Sequence, residues 1–418
     1  MPRPHSLIIA TLGMLCLLAG CDGPSQSAPA VFSAPQAPIA RALTPTPALV
    51  ANTNPVPTAA TPAPQRPPAT PAPIVAQAAP VNAAAAAPTP AAPPTGLGQT
   101  IDSYMNDIVS AGWFQGAILV ARGGKIIISK GYGMADAEHG TPNTAQTRFR
   151  LASVTKQFTA AAIMILQARG KLNVTDAICT HLPDCPDAWR EITILHLLTH
   201  TSGIPNYTDF ADYEASQMQP ATADQLIARF RDQPLLYAPG TTYSYANSDY
   251  VLLGRIVEQA SSQSYADFLH DAIFTPLHMG DSGVDAGLGA APGYAVGYGG
   301  VGAKAPPLDA STLFAAGAVY STVGDLYRWD QALYTDTPLP AALRAQMFTP
   351  FLNDYGYGWR VEHPGDHLRI SHPGLMDGFA TYFARYPNDH VTVIVLANLD
   401  SSNATGIGEY LASLVFGS

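Results

Sequence analysis

Ser153 and Lys156 stand three residues apart in "RLASVTKQFTAAAIMILQARGKL", a run otherwise apolar and helix-forming. Residues at i and i+3 share a helix face, so the amine can lie beside the hydroxyl. A serine hydroxyl is a poor nucleophile until a base takes its proton. A lysine can be that base only if burial or nearby positive charge lowers its pKa. The helix start supplies unpaired N–H groups and partial positive charge, and the apolar run supplies burial. The plainer alternative is a lysine that snorkels to water. The chain has five lysines, and only Lys156 follows a serine at this spacing.

Two further stretches carry polar groups at the ends of elements. In "PGTTYSYANSDYVLLG", Pro239-Gly240 marks a turn, and Tyr245-Ala246-Asn247 leads into a helix capped by Asn247 or Ser248. That loop presents a phenol and a carboxamide together, or simply caps a helix. In "RISHPGLMDGFATYF", His372-Pro373-Gly374 leads into a strand. A proline there fits a strand start or an edge, where backbone N–H groups can face an oxyanion. His196 and His200 in "HLLTH" have the i, i+4 spacing of a zinc helix, but Leu197 replaces the glutamate of that motif. No metal and no cofactor is expected.

These residues must be held by a mixed architecture. "TIDSYMNDIVSAGW" has helical spacing, and "GAILVAR" and "KIIISKGYG" form a hairpin across Gly-Gly. Near the other end, "YGWRVEH", "FATYFARYP" and "HVTVIVLANLD" read as strands, followed by the helix "ATGIGEYLASLVFG". The long middle is dominated by helical patterns. Two early and three late strands must pair, which predicts an α+β fold. Its core is an antiparallel five-stranded sheet flanked by the terminal helices, with a mainly helical subdomain inserted.

The bulk of the chain divides in three. Residues 1–20 read as a signal peptide, with a basic start and an apolar Leu7–Leu18 too short to span a bilayer comfortably. The ending "LLAGC" resembles the lipobox of bacterial lipoproteins, which implies cleavage before Cys21 and a lipid on its sulfur. The alternative is an ordinary signal with an incidental cysteine. Residues 21–97 are rich in Pro, Ala and Thr, with almost no charges or aromatics, and read as an unfolded tether. A lipid-anchored membrane protein of the bacterial cell envelope is the expected localisation. Residues 98–418 are long enough for one large domain. The net charge is −10, while residues 1–97 carry Arg3, Arg41 and Arg66 against Asp22, so the folded part is acidic. That gives no support to nucleic-acid binding. Cys179 and Cys185 are spaced to close a small disulfide loop.

The motifs together resemble the serine β-lactamase and penicillin-binding protein superfamily. The likeness is best to the class C β-lactamase-like branch, which includes esterases and D-amino-acid peptidases. That family orders Ser-x-x-Lys, Tyr-x-Asn, then Lys-Thr-Gly or His-x-Gly, as this chain does. "LLTHTSGIP", "STVGDLYRW" and "YGYGW" also look like the family, so the resemblance covers 98–418. It implies a β-lactamase/transpeptidase-like fold and a β-lactamase-related serine hydrolase acting by acyl transfer on an ester, amide or D-amino-acid peptide. Ser153 would be the nucleophile, and Lys156 and Tyr245 would move protons, with the choice of base left open between them. Asn247 would bind the substrate's acyl side, and His372 and Gly374 would line the cleft. The N–H groups of Ser153 and Leu375 would form the oxyanion hole. Alternatives are a β-lactamase, a D,D-carboxypeptidase, or a non-catalytic envelope-binding module. Pro373 and His372 stand where β-lactamases usually have threonine and lysine, which weakens a site for a substrate carboxylate. The expected partner is a small-molecule or peptide substrate. Oligomeric state is not legible.

Overall fold

The computed structural model describes residues 96–285, 287 and 293–417. The signal peptide, Cys21 and nearly all of the tether lie outside them. Helix α1, Leu97–Ser110, leads into β1, Gly116–Arg122, and β2, Lys125–Tyr132. Gly123 and Gly124 join these strands at φ +59° and +71°, the left-handed backbone that a two-residue hairpin turn needs. Strands β3 (Arg360–Glu362), β4 (Arg369–Met376), β5 (Phe379–Tyr386) and β6 (Val391–Ala397) lie near the C-terminus. The sheet runs β3-β4-β5-β6-β1-β2, antiparallel throughout. Gly116 pairs with Ala397 and Arg122 with Val391, so the early hairpin closes on the last strand.

The sheet has six strands where the sequence predicts five. The additional one is β4, which contains His372-Pro373-Gly374 in its middle. Proline and glycine mask the strand pattern. They are tolerated because β3 pairs only with Arg369–Ser371, leaving β4 as an edge from His372 onward.

Alternation along β1 sends side chains to two cores. Ile118 and Val120 pack beneath α1 and the C-terminal helix, while Ala117, Leu119 and Ala121 face the inserted helices. The insertion includes α2 (Lys156–Ala168), α3 (Ile194–Leu198), α4 (Ala223–Phe230), α5 (Asn247–Ser261) and α6 (Val323–Ala332); α7, Ala404–Phe416, ends the described chain. Helix α2 is buried on every side from Lys156 to Leu166, as expected of a helix surrounded by protein. A buried ion pair ties insertion to sheet: Arg385 Nε on β5 donates to Asp330 Oδ1 on α6 at 2.8 Å. Asp330 Oδ2 accepts from Thr392 Oγ1 at 2.5 Å. Cys179 and Cys185 are joined in a disulfide within the insertion.

Candidate active site

Ser153 lies in a tight turn, Ala152–Thr155, immediately before α2. The turn is stitched to Val319 from both sides. Leu151 N–H donates to Val319 O at 2.8 Å, and Val319 N–H donates to Thr155 Oγ1 at 3.0 Å. Ala152 is held at φ +48°, a costly conformation for a non-glycine residue. This constrained turn fixes the direction in which Ser153 enters the site.

Lys156 is fully buried. Its Nζ donates to Asn247 Oδ1 at 2.8 Å and Ala316 O at 3.0 Å, and lies 3.2 Å from Ser153 Oγ. Neither of the first two oxygens can donate. A neutral amine gives both N–H bonds to them and keeps its lone pair for the serine proton. Burial holds Lys156 well below the usual lysine range, and only an ionised Asp249 would act in the opposite sense. Snorkelling is thus excluded for this lysine.

Tyr245 packs its ring 4.7 Å from Lys156 Nζ. Its hydroxyl is buried without a hydrogen bond of ordinary geometry. Burial pushes the phenol up, and Ser153 alongside draws it partly back. Asn247 opens α5 without capping it. Its N–H donates to Asn206 Oδ1 at 2.9 Å and its Nδ2 to Thr208 Oγ1 at 3.1 Å, while its Oδ1 accepts a hydrogen bond from Lys156 Nζ. The carboxamide assigned by resemblance to substrate is engaged at both ends within the protein, where it orients Lys156.

His372 differs more from its expected place. It is 2% exposed, so it backs the site from inside rather than lining an open cleft. Pro373 O can only accept, so His372 Nδ1–H donates to it at 2.6 Å. Nε2 then accepts the Tyr355 hydroxyl at 2.9 Å. Burial first, and Lys156 second, lower this imidazole to about 3. It is neutral at any ordinary pH.

Gly374 brings β4 against the serine turn. A Cβ there would collide with Leu151 O and the Thr381 hydroxyl and press on Ala152. Leu375 follows at the open rim, 70% exposed.

Three contributors were given no place in the site from sequence. Ala316 offers only a backbone carbonyl, which no residue type reveals. Tyr355 lies in the "YGYGW" stretch, among other aromatics. The third is a buried set, His200, Ser202 and Asp249. His200 Nδ1 is 3.0 Å from Asp249 Oδ2, and Ser202 Oγ donates to Asp249 Oδ1 at 2.5 Å. The zinc-like spacing has a different meaning: His196 accepts from Thr193 N–H to cap α3, while His200 turns to Asp249.

Beside the site is a cavity of about 790 Å³, lined in part by Thr208, Asp209, Tyr213, Glu214, Gln217 and Asp377. Thr208 is the residue bonded to Asn247, and Asp377 follows β4. Among the described residues, three carboxylates and no lysine, arginine or histidine line this groove.

Residues 99–415 match the Beta-lactamase family. The chain belongs to that family. Among curated relatives, penicillin-binding protein 4* of Bacillus subtilis (strain 168) is 33% identical over 311 residues, covering 68% of this chain and 68% of that protein. Among solved structures, a penicillin-binding protein from Bacillus halodurans is 27% identical with TM-score 0.68, covering 74% of this chain and 99% of that one. D-amino acid amidase from Ochrobactrum anthropi, complexed with D-phenylalanine, shares the fold at 23% identity and TM-score 0.68, covering 77% of this chain and 99% of that one. This β-lactamase-family chain is a hydrolase with an α+β, β-lactamase-like fold.

Proposed function

We propose that the chain hydrolyses an ester, amide or D-amino-acid peptide by acyl transfer through Ser153, Lys156 and Tyr245. The observation that carries this reading is the fully buried Lys156 amine, 3.2 Å from Ser153 Oγ with its two other contacts on carbonyl oxygens. Ser153 Oγ attacks the substrate carbonyl as its proton passes to Lys156 Nζ. Burial keeps the Tyr245 phenol protonated at rest, so it suits protonating the leaving group better than serving as the resting base. The C–O or C–N bond breaks, the leaving group departs with that proton, and an acyl-Ser153 ester remains. Water then attacks the ester and gives one proton to the Tyr245 oxygen. Ser153 leaves as the alcohol, taking back the proton from Lys156. The N–H groups of Ser153 and Leu375 are the proposed oxyanion donors.

The groove favours neutral or cationic substrates over carboxylates. Pro373 has no donor, His372 has no charge, and the adjoining wall carries Asp209, Glu214 and Asp377. A charge-assisted hydrogen bond is worth about 1.5–3 kcal/mol, so lacking one costs a carboxylate-bearing β-lactam about ten- to a hundredfold. The test is fluorophosphonate labelling with kcat/KM for p-nitrophenyl acetate and benzylpenicillin. Wild type should label and prefer the ester, and Ser153→Ala should lose labelling and at least about 10³-fold in turnover. Wild-type turnover by Ser153→Ala would overturn the mechanism. Penicillin preferred over the ester would promote the β-lactamase reading.

We also propose that Cys21 carries a lipid that anchors the enzyme to a bacterial envelope membrane, supported by "LLAGC" and the Pro/Ala-rich stretch after it. Cys21→Ala should move the protein out of the membrane fraction; unchanged fractionation would refute the anchor.

A further inference from the structure

The segment "HTSGIP", His200 to Pro205, touches no reacting atom in the mechanism above, yet it supports the loop that carries Tyr245. His200 O accepts from Ser244 N–H at 2.9 Å, and His200 Nδ1 accepts from Ala246 N–H at 3.2 Å. One residue thus holds both neighbours of Tyr245. His200 can direct its carbonyl and its ring at the same loop because its backbone sits at φ +55°, a conformation costly for a non-glycine residue. Its ring also packs directly on Tyr245, centroid to centroid 4.3 Å.

The contacts at Nδ1 point to where the protons are. Ala246 N–H points at His200 Nδ1, so that nitrogen presents its lone pair and carries no proton. Asp249 Oδ2 lies 3.0 Å from the same nitrogen. A lone pair facing a carboxylate oxygen would be repulsive, so the proton of that contact belongs to the carboxyl group, and the single Nδ1 lone pair is shared between that O–H and Ala246 N–H in a three-centre bond. The other carboxyl oxygen, Oδ1, accepts from Ser202 Oγ at 2.5 Å, and Ser202 Oγ in turn accepts from Ile204 N–H at 3.0 Å. The imidazole proton is then on Nε2, which is buried among the rings of Tyr245, Tyr250 and Tyr355. Both His200 and Asp249 are fully shielded from water, where a neutral pair costs far less than an ion pair.

We propose that Asp249 is a neutral carboxylic acid that donates its proton to His200, and that this pair is the positioning device that aims Tyr245 at Ser153. The pair adds no net charge next to Lys156, which leaves the amine without a fixed counter-ion and free to act as a base. The titratable and charged groups that face the pair are Lys156 from α2, Tyr237, Tyr243 and Tyr245 from the loop before α5, Tyr250 within α5, Tyr355 from the loop before β3, Arg360 on β3 and His372 on β4. Burial favours the neutral form of both members, raising Asp249 and lowering His200. The proposal rests on the reading that Tyr245 takes part in proton transfer.

Two readouts test it. The first needs no activity. Infrared difference spectra of the full-length protein at about pH 8, far above where an ordinary aspartate ionises, should contain a protonated-carboxyl C=O band that is missing from Asp249→Asn. Absence of such a band overturns the neutral acid, whatever Ser153→Ala does to turnover. The second is kinetic. Asp249→Leu removes the donor and should lower kcat by about ten- to a hundredfold with little change in KM, the scale expected when a reacting group is misaimed. Asp249→Asn can donate from Nδ2 to His200 and accept from Ser202, so it should rescue kcat to within about fivefold and leave the acid limb of the pH–kcat/KM profile in place. An Asn variant no better than Leu, or one whose acid limb moves, overturns the proposal. Should Asp249→Leu fail to fold, the infrared band and the Asn profile decide alone.

Discussion

At the scale of single residues, the site is built from groups kept neutral by burial. His372 makes this measurable, because its imidazole is lowered to about 3 while an unfolded histidine titrates near 6.5. The unfolded chain therefore binds the extra proton between those values. Stability from this group is fully present above about pH 6.5 and is lost as pH falls towards 3. Going from pH 7 to about pH 5, wild type should lose about 2 kcal/mol more than His372→Gln. Urea melts of both proteins at both pH values check this, and equal losses would refute it. Ser153, Lys156, Tyr245 and Asn247 were legible because their signal is short-range order along the chain. The burial of His372 was not. It depends on Tyr355, 17 residues earlier, and on strands that pair far from the motif. The engagement of Asn247 by Lys156 spans 91 residues, and sequence alone could not separate it from a substrate contact.

At the scale of elements, β4 was the strand that the sequence hid. Its middle reads Pro373-Gly374, a turn signal by local rules, and only its place beside β5 makes it a strand. The same glycine that obscures it lets it touch the serine turn. Gly374→Ala would push β4 away from Leu151 and Thr381, breaking the 2.7 Å bond from Thr381 Oγ1 to Leu151 O. The expected result is a fall in kcat of at least about tenfold, larger in proportion than the loss of stability, because the proposed oxyanion donor, Leu375 N–H, moves with the strand. Steady-state kinetics beside thermal melts test this; a variant with unchanged kcat would remove β4 from the oxyanion site. The hairpin β1–β2, strands β3, β5 and β6, and helices α2 and α7 were readable because periodicity and turn residues agree there.

At the scale of the molecule, the helical insertion and the sheet are joined by buried polar contacts as well as by apolar packing. Asp330→Ala leaves Arg385 buried without its carboxylate and Thr392 without its acceptor. Breaking such a pair costs about 3–5 kcal/mol, and denaturant melts should show that loss; a cost below about 1 kcal/mol would mean the pair is peripheral. The plan of a sheet with a helical insertion was legible because strand patterns cluster at the ends of residues 98–418 and helical ones in the middle, but no pattern tells which polar residues join the insertion to the sheet. The closure of β1 on β6 has a consequence for the birth of the protein. Gln115 Nε2 donates to Asn398 O across 283 residues of chain. A ribosome that has finished Lys156 has already made the proposed nucleophile and its proposed base, yet more than half the chain is still to come, including β4 and the strand that completes the sheet. Such long-range pairing makes folding slow and leaves the early hairpin exposed while it waits. The geometry of the proposed site is therefore completed late, and a nascent chain interrupted before Val391 lacks the strand that joins the early hairpin to the rest of the sheet.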